Sequence, residues 1–256
     1  MTSYDLLGNI AIIKGEGLTK KEKLEIANEV LKHPNIKTVV EKSGNVHGRL
    51  RTIDTKYIAG DKNLVAVMKE NDCVFKFDIE KCYFSSRLSE ERKILANKIK
   101  SKDRVLVMFA GVGVYPIVIY KIAKPVEIVS VELGKECCKF ANENLNLNKI
   151  PEGKIKVIQG DVKKKVNESL GKFDVIVMAR PNLKDTFFKE GLSVAKKGTL
   201  IYYYGFCHLD KKDSMIEELK TQAEEVGRKI KIINVEKAGD IAPFKFRWRV
   251  DIRVFN

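Results

Sequence analysis

Two glycines and one acidic residue are, by type and spacing, the residues best suited to hold a small-molecule cofactor. Gly111 and Gly113 follow an apolar segment, 105–108, and Glu132 ends a second apolar segment, 128–131, after a helical stretch. A glycine turn between a strand and a helix lets a ligand approach the backbone, because glycine has no side chain to block it. An acid that closes the next strand is placed to accept hydrogen bonds from a ribose diol. The pattern predicts an adenosine-type cofactor.

The details of the turn favour S-adenosylmethionine over a dinucleotide. Pro116 stands where the dinucleotide fingerprint has its third glycine, so the sequence lacks the close pyrophosphate turn. S-adenosylmethionine needs an acid for its ribose but has no phosphates to bind. The alternative is a tight turn in a doubly wound domain, with no ligand. The predicted cofactor contacts in this region are Phe109, Ala110, Gly111, Gly113 and Glu132.

Two further strand ends carry residues that could contact a ligand. Asp161 follows the predicted strand 155–159 and could accept a hydrogen bond from an adenine amine; its alternative role is N-cap of a helix over 162–170. Met178 ends the strand 173–178 and is a predicted cofactor contact. The loop 179–182 comes next, where a sheet of this kind presents the target atom. Pro181 keeps that loop stiff, and Arg180 and Asn182 can donate hydrogen bonds to a substrate.

The positions of the apolar segments predict the elements that bring these residues together. From residue 102 strands and helices alternate, which gives a parallel sheet with helices on both faces, and the last two strands, 229–236 and 247–254, form an antiparallel hairpin. The fold class is therefore α/β, a Rossmann-like class I methyltransferase sheet over 102–256. Residues 1–86 form a small α+β domain that positions the substrate, and 87–101 form a connecting helix. A helix is expected over 183–196.

Charge and composition indicate the kind of partner. The 48 Lys and Arg residues outnumber the 34 Asp and Glu residues and give a net charge of +14, which favours a polyanion such as nucleic acid, unless the lysines only solvate the surface. None of the five cysteines forms a CxxC pair, so we expect neither a metal site nor disulfides, and a reducing compartment. Without a signal peptide or an apolar run that could cross a bilayer, we expect a cytoplasmic protein with no membrane contact.

A second group of polar and aromatic residues lies at the junction of the two domains. Residues 83–92 contain an aromatic pair, two arginines and a carboxylate, and residues 48–51 add two more arginines. Solvated charge beside core aromatics would explain the pattern without any function. A site that binds phosphates and stacks on a base, facing the cofactor, would also explain it.

These stretches together resemble the archaeal and eukaryotic tRNA (guanine-N1)-methyltransferase family, which modifies the guanosine 3′ of the anticodon. The resemblance covers nearly the whole chain and is carried by YDLLGNIAIIK, HGRLRT, FKFDIEKCYFSSRLSEER, MFAGVG, ENLNLNKI, LIYYYGF and IAPFKFRWRVDIRV. It implies S-adenosylmethionine as cofactor and the tRNA anticodon stem-loop as partner, and we expect a monomer. Longer archaeal members carry a further N-terminal domain, and we expect this chain to be the form without it.

The resemblance also implies roles for single residues. Arg51 matches the arginine that stabilises charge on guanine O6, Tyr83 matches the aromatic before the Ser-x-Arg-Leu run, and Glu91 matches the general base. A base is needed because guanine N1 carries a proton and is not nucleophilic until the proton leaves. Pro181 matches the catalytic-loop proline. The remaining candidate substrate contacts are Arg49, Arg87, Arg180 and Asn182.

Two departures from the family pattern leave other reactions open. Ala179 and Arg180 replace the Asn-Leu of the family's Asn-Leu-Pro loop, and Val107 replaces an acid. The alternatives are a wybutosine-pathway enzyme, which either transfers the aminocarboxypropyl group of the same cofactor or methylates a wyosine precursor, and a tRNA-binding protein without catalysis. Arg87 and Leu88 favour methyl transfer, because the aminocarboxypropyl relatives differ at this run.

Overall fold

The first part of the chain forms a four-stranded sheet backed by one helix. The computed structural model describes residues 4–256, apart from the side chains of 45–47, so residues 1–3 of the predicted small domain lie outside the described residues. The sheet has the order β1-β2-β3-β4, with β2 and β3 parallel and the other neighbours antiparallel. Its elements are β1 (Tyr4–Leu7), β2 (Ile10–Ile13), α1 (Lys20–Leu31), β3 (Thr38–His47) and β4 (Thr52–Gly60).

Helix α1 begins at a capping box. The Thr19 side chain accepts from the backbone N–H of Glu22, and the Glu22 carboxylate accepts from the backbone N–H of Thr19. The apolar face of the helix covers one side of the sheet and buries Ala27 and Val30 in a small core of its own.

The second domain is a seven-stranded sheet, which confirms the predicted α/β class. Its order is β12-β13-β11-β10-β7-β8-β9. Strand β13 runs in the opposite direction to the other six strands, which are parallel to one another. The strands are β7 (Arg104–Met108), β8 (Glu127–Glu132), β9 (Ile155–Gln159), β10 (Phe173–Met178), β11 (Ala195–His208), β12 (Ile230–Ala242) and β13 (Lys245–Val254). The helices are α2 (Ser89–Ala96), α3 (Val114–Ala123), α4 (Lys135–Leu147), α5 (Val162–Lys165), α6 (Phe188–Ser193) and α7 (Lys212–Glu225). Each face of the sheet has its own hydrophobic core.

The helix expected over 183–196 is wrong at both ends. Only α6 is helical, and β11 already begins at Ala195. Residues 183–187 stay irregular because Arg180 donates hydrogen bonds to the carbonyls of Leu183 and Asp185, and because Phe187 has a left-handed backbone with φ 54°. A helix would need those carbonyls for its own hydrogen bonds.

A short hairpin, β5 (Val65–Glu70) and β6 (Cys73–Asp78), joins the two domains and forms a separate two-stranded sheet. Two buried asparagines, Asn144 of α4 and Asn148 at its C-cap, bind the free edge of β6. The Asn144 side chain pairs with both backbone groups of Lys76 at 2.8 and 3.0 Å, and the Asn148 side chain pairs with both of Val74 at 2.8 and 2.7 Å. Asn144 also donates to the carbonyl of Val112 at 2.9 Å. The asparagines therefore fix the hairpin against α4, and Asn144 also fixes it against the glycine turn.

Two features are absent from the described part of the chain. Across residues 4–256 no helix is both long and apolar enough to cross a membrane. In the same range, side chains of 45–47 excepted, no three His, Cys, Asp or Glu side chains lie together as they would around a metal ion.

Candidate active site

A pocket opens at the carboxyl edge of the seven-stranded sheet, and residues of the small domain form part of its lining. The turn after β7 forms its floor, and residues 49–51 of the small domain and 83–85 of the junction form one wall. The loop 179–181 after β10, Tyr204 of β11 and Arg247 of β13 also line the pocket. The structure thus brings the predicted cofactor turn and most of the predicted substrate residues to one cavity. The predicted residues that line it are Arg49, Arg51, Tyr83, Phe109, Ala110, Gly111, Glu132, Arg180 and Pro181.

Glu132 holds the glycine turn in place as well as facing the pocket. Its Oε2 accepts from the backbone N–H of Gly111 and its Oε1 from that of Gly134, both at 2.8 Å. Burial raises the pKa of the carboxyl, although the backbone hydrogen bonds act in the opposite direction. Phe109 and Gly111 have positive φ values of 64° and 56°, so the turn is sharp. A ribose diol can use the lone pairs of the carboxylate that the backbone leaves free.

Asp161 has the N-cap role that was the alternative for it, and it also binds the small domain. Its Oδ1 accepts from the backbone N–H of Lys163 at 3.0 Å, and its Oδ2 lies 2.9 Å from Nη1 of Arg49. The hydrogen bond from Arg49 lowers the pKa of this carboxyl. Asp161 itself does not line the pocket, whereas its neighbour Val162 does. The Arg49–Asp161 pair joins the two domains at the edge of the cavity.

Arg51 and Tyr83 form a stacked pair on the substrate side of the pocket. The Arg51 guanidinium lies 4.2 Å from the centre of the Tyr83 ring. Burial raises the pKa of Tyr83, but the charges of Arg51 and Arg247 outweigh it and leave that pKa below its ordinary value. Positive charge is therefore concentrated beside the half-exposed ring, where an aromatic base that gains negative charge would be stabilised.

Glu91 lies behind the pocket wall and not in it. Its carboxylate is buried, with 8% of the residue exposed, and Oε1 accepts at 2.7 Å from both the Tyr204 hydroxyl and Nη1 of Arg249. Strand pairing explains the arrangement, because Tyr204 and Arg249 are opposite each other in β11 and β13. Arg249 also donates from Nε to Asp251 at 2.7 Å. Tyr204 lines the pocket, so this residue contacts both Glu91 and the cavity.

Arg180 is buried inside its own loop. Its Nη2 donates to the carbonyls of Leu183 and Asp185, both at 2.6 Å, and its Nε has no hydrogen-bond partner within the described structure. Burial lowers the pKa of the guanidinium. Arg180 thus lines the pocket and also orders residues 181–185 through its hydrogen bonds to the loop carbonyls. Asn182 is exposed and does not line the cavity.

Three more predicted residues lie away from the cavity. The Arg87 side chain is largely exposed and lies 3.7 Å from Asp5. Met178 is fully buried in the core on the far face of the sheet. Gly113 is the N-cap of α3 and has a left-handed backbone with φ 84°, so it contributes to the conformation of the turn and does not line the cavity.

Sequence reasoning missed Tyr204, Arg247 and Arg249. The first belongs to the apolar run LIYYYGF, and the other two to the alternating run FKFRWRVD. The alternation of charged and large apolar residues in the second run was the available signal. It places the charged side chains on one face of the strand, and a charge that is buried there needs a partner.

Sequence profiles of two protein domains match this chain. The TRM5/TYW2 methyltransferase domain matches residues 66–233, and the TYW2 N-terminal domain matches residues 1–63. The two matches divide at 63–66, before the hairpin β5–β6, whereas the predicted boundary at 86 follows it; that boundary stays a prediction.

Three related proteins share nearly the full length of the chain. The tRNA (guanine(37)-N(1))/4-demethylwyosine(37)-methyltransferase Taw22 of Nanoarchaeum equitans is 33% identical over 98% of this chain and 99% of its own length. The crystal structure of Trm5b from Pyrococcus abyssi superposes with a TM-score of 0.86 at 30% identity, covering 100% of this chain and 76% of that one. The structure of P. horikoshii TYW2 in complex with MeSAdo superposes at 0.84 with 26% identity, covering 99% and 90%.

Proposed function

Because the chain belongs to the TRM5/TYW2 methyltransferase family, we propose that it uses S-adenosylmethionine to methylate N1 of the tRNA guanosine 3′ of the anticodon. The observation that carries the proposal is the convergence, in one cavity, of the glycine turn and Glu132 with Arg51, Tyr83 and Tyr204. One chain supplies all of these groups, so we propose that the monomer is active.

The residues on the cofactor side suit S-adenosylmethionine. The cavity offers a sharp glycine turn for close backbone contact and a carboxylate for the ribose, and Pro116 stands where a dinucleotide site has its third glycine. The residues that would hold the cofactor are Phe109, Ala110, Gly111 and Glu132. When bound, it supplies an electrophilic methyl group. The related TYW2 structure holds the thioether MeSAdo, which retains the adenosine part.

The protein's part in the reaction is to remove the N1 proton of guanine and to stabilise the charge that this leaves. Glu91 cannot accept that proton from inside the pocket, because Tyr204 lies between them. We propose that Tyr204 takes the N1 proton while it passes its own hydroxyl proton to Oε1 of Glu91, 2.7 Å away. Burial raises the pKa of Tyr204 well above its ordinary value, so the hydroxyl stays neutral before and after the transfer.

Cations around the base complete the arrangement. The negative charge that develops on guanine when N1 loses its proton is delocalised to O6, and Arg51 stands beside Tyr83 on that side of the pocket. Arg249 keeps its hydrogen bond to Glu91 throughout the transfer, so the buried carboxylate is never unpaired.

Product analysis tests the proposal directly. The protein is incubated with an unmodified tRNA transcript and with cofactor labelled in either the methyl or the carboxyl group, and the nucleosides are then separated. Methyl label in 1-methylguanosine is expected. Carboxyl label in the RNA would instead identify aminocarboxypropyl transfer and would refute the proposal.

Replacing the base should separate chemistry from binding. Glu91→Ala is expected to lower the single-turnover rate of methyl transfer by about 10²–10⁴-fold, the usual contribution of a general base, while the Kd for tRNA changes by less than about threefold because Glu91 does not line the pocket. A variant as fast as the wild type would remove Glu91 from the mechanism.

A second methylation, of 4-demethylwyosine at the same nucleotide, is the other candidate function. Two observations favour it: the Nanoarchaeum relative is named for both activities, and Ala179 in the pocket wall leaves more room than the asparagine side chain of the family loop would. Transcripts carrying guanosine or 4-demethylwyosine at the target position, assayed side by side, distinguish the two.

A further inference from the structure

The turn between β12 and β13 contains a phenylalanine, Phe244, whose residue type is explained neither by the backbone conformation nor by packing. Ala242 pairs with Lys245, so Pro243 and Phe244 form a two-residue connection, and Phe244 has a left-handed backbone with φ 57°. That position follows a proline in the turn and normally takes glycine or asparagine, because a side chain there is strained. Phenylalanine is therefore a costly choice at this position.

Burial does not offset the strain. Phe244 is 74% exposed, the highest value among the large apolar residues of the described chain. Its backbone is nevertheless held in place, since its carbonyl accepts from the N–H of Leu209 at 3.0 Å. Leu209 and Ile241 beside it are also exposed, at 53% and 42%. The ring is presented to solvent on a fixed turn, and such a strained, exposed residue indicates a function.

The turn projects from the same edge of the sheet as the active-site pocket. In β13, Lys245 pairs with His208 and Arg247 pairs with Phe206 at the carboxyl end of β11, and Arg247 lines the pocket. Phe244 is three residues further along, which places it about 10 Å beyond Arg247 at the rise of a strand. The strand therefore leads from the pocket wall to the exposed ring.

Basic and aromatic side chains alternate around this turn. Lys237 lies 4.2 Å from the centre of the Phe246 ring, Arg247 lies 5.1 Å from that of Phe206, and Lys212 lies 5.6 Å from that of Trp248. Two carboxylates are close by: Asp240 pairs with Lys237, and Asp210 follows Leu209 in the chain. Trp248 is buried and Phe206 and Phe246 are partly buried, so Phe244 supplies the exposed ring beside these cations. An exposed ring near cations is the kind of surface on which proteins stack unpaired nucleotides.

We propose that Phe244 stacks on an unpaired RNA base of the substrate, next to the nucleotide that enters the pocket. The inference rests on the proposed function for the identity of the RNA, and it adds a second contact site outside the catalytic cavity. Phe244 holds the loop strand by one base while the neighbouring nucleotide is turned into the cavity, and Lys245 and Arg247 face the backbone between them.

Binding of an anticodon stem-loop RNA tests the site without any need for catalysis. The RNA carries 2-aminopurine at one loop position at a time on either side of the target, and its fluorescence reports stacking. Phe244→Gly is expected to raise the Kd about 5- to 100-fold, the range for loss of one stacked base, and to abolish the fluorescence change at one flanking position. Phe244→Tyr should keep both signals within about twofold of the wild type.

The controls separate this role from folding and from self-association. Phe244→Gly suits the turn better than phenylalanine does, so its unfolding midpoint should equal or exceed that of the wild type. Phe255→Gly removes another exposed ring, beyond the far end of β13, and should leave the Kd unchanged. The inference is overturned if Phe244→Gly binds the RNA as tightly as the wild type, or if it only converts a dimer to a monomer. Methylation of the transcript by the wild type is measured separately. If the wild type methylates the transcript but Phe244→Gly binds RNA normally, this inference fails and the proposed function stands.

Discussion

The hydroxyl of Tyr204 is the group whose removal tests the proposed chemistry most directly. Tyr204→Phe deletes one oxygen and keeps the ring, which is 1% exposed and packs beside Tyr115 with ring centres 6.0 Å apart. The lost hydrogen bond reaches a carboxylate, and such a bond contributes about 1.5–3 kcal/mol to stability. Arg249 still donates to the same oxygen of Glu91, so we expect a loss near the lower end of that range.

The effect on the rate should be larger than the effect on stability. If the N1 proton must pass through Tyr204 to reach Glu91, the phenylalanine variant lacks the hydroxyl that binds that carboxylate. The single-turnover rate with saturating tRNA and cofactor should then fall by about 10²–10⁴-fold, as for loss of the base itself. Combining Tyr204→Phe with Glu91→Ala should add little further loss, because the two groups act as one unit.

A matched control lies on the same strand and the same face. Tyr202 is 3% exposed, has a pKa raised to about 12 by burial, and does not line the pocket. Tyr202→Phe should leave the rate within about threefold of the wild type. A Tyr204→Phe enzyme that transfers methyl groups at the wild-type rate would refute the relay and would require Glu91 to reach the substrate directly.

Three further predictions concern stability and binding. Asn144→Ala leaves both backbone groups of Lys76 without partners and should lower the free energy of unfolding by about 2–4 kcal/mol, measured with urea; an unchanged midpoint would mean that water replaces the amide. The Kd for tRNA should rise steeply with salt, so that log Kd plotted against log salt concentration has a slope of about +2 to +4 for three to five phosphate contacts, and a flat response would argue against a polyanion. The lowered pKa of Asp161 contributes stability that is present above its ordinary value of 3.8 and lost as the pH falls below it. Asp161→Asn should therefore flatten the fall in unfolding free energy below that pH, and an unaltered slope would show that the Arg49 contact does not form in solution.

The regular part of the catalytic domain could be predicted from sequence because its signals are local. Strands β7 to β10 are short apolar runs bounded by turns, and their predicted limits agree with the structure to within a residue. Strand β1 was not predicted, since an edge strand with two exposed residues has no apolar run or alternation to show it. The failed helix over 183–196 has an apolar pattern that suits a helix, and only the tertiary contacts of Arg180 with the loop carbonyls overrule it.

The site could be predicted only as a set of residue types. The turn at Gly111 and the acid Glu132 are fixed by their own strand ends, so spacing along the chain is enough to place them. The position of Glu91 depends on Tyr204 and Arg249, which are more than a hundred residues away in sequence, and strand pairing of β11 with β13 decides it. No local sequence pattern distinguishes a carboxylate that lines a cavity from one that is buried behind a lining residue and accepts a hydrogen bond from it.

The wall that residues 49–51 contribute to the cavity has a thermodynamic consequence. These residues come from the small domain, whereas the floor comes from the catalytic sheet, so both domains enclose whatever occupies the cavity. Under the proposed function, RNA that moves the small domain on binding would therefore change the affinity for the methyl donor. Linkage makes the dependence mutual: the factor by which RNA tightens the donor equals the factor by which the donor tightens RNA. Two ligands that meet at a single atom would in this way also be coupled through the two domains that enclose them.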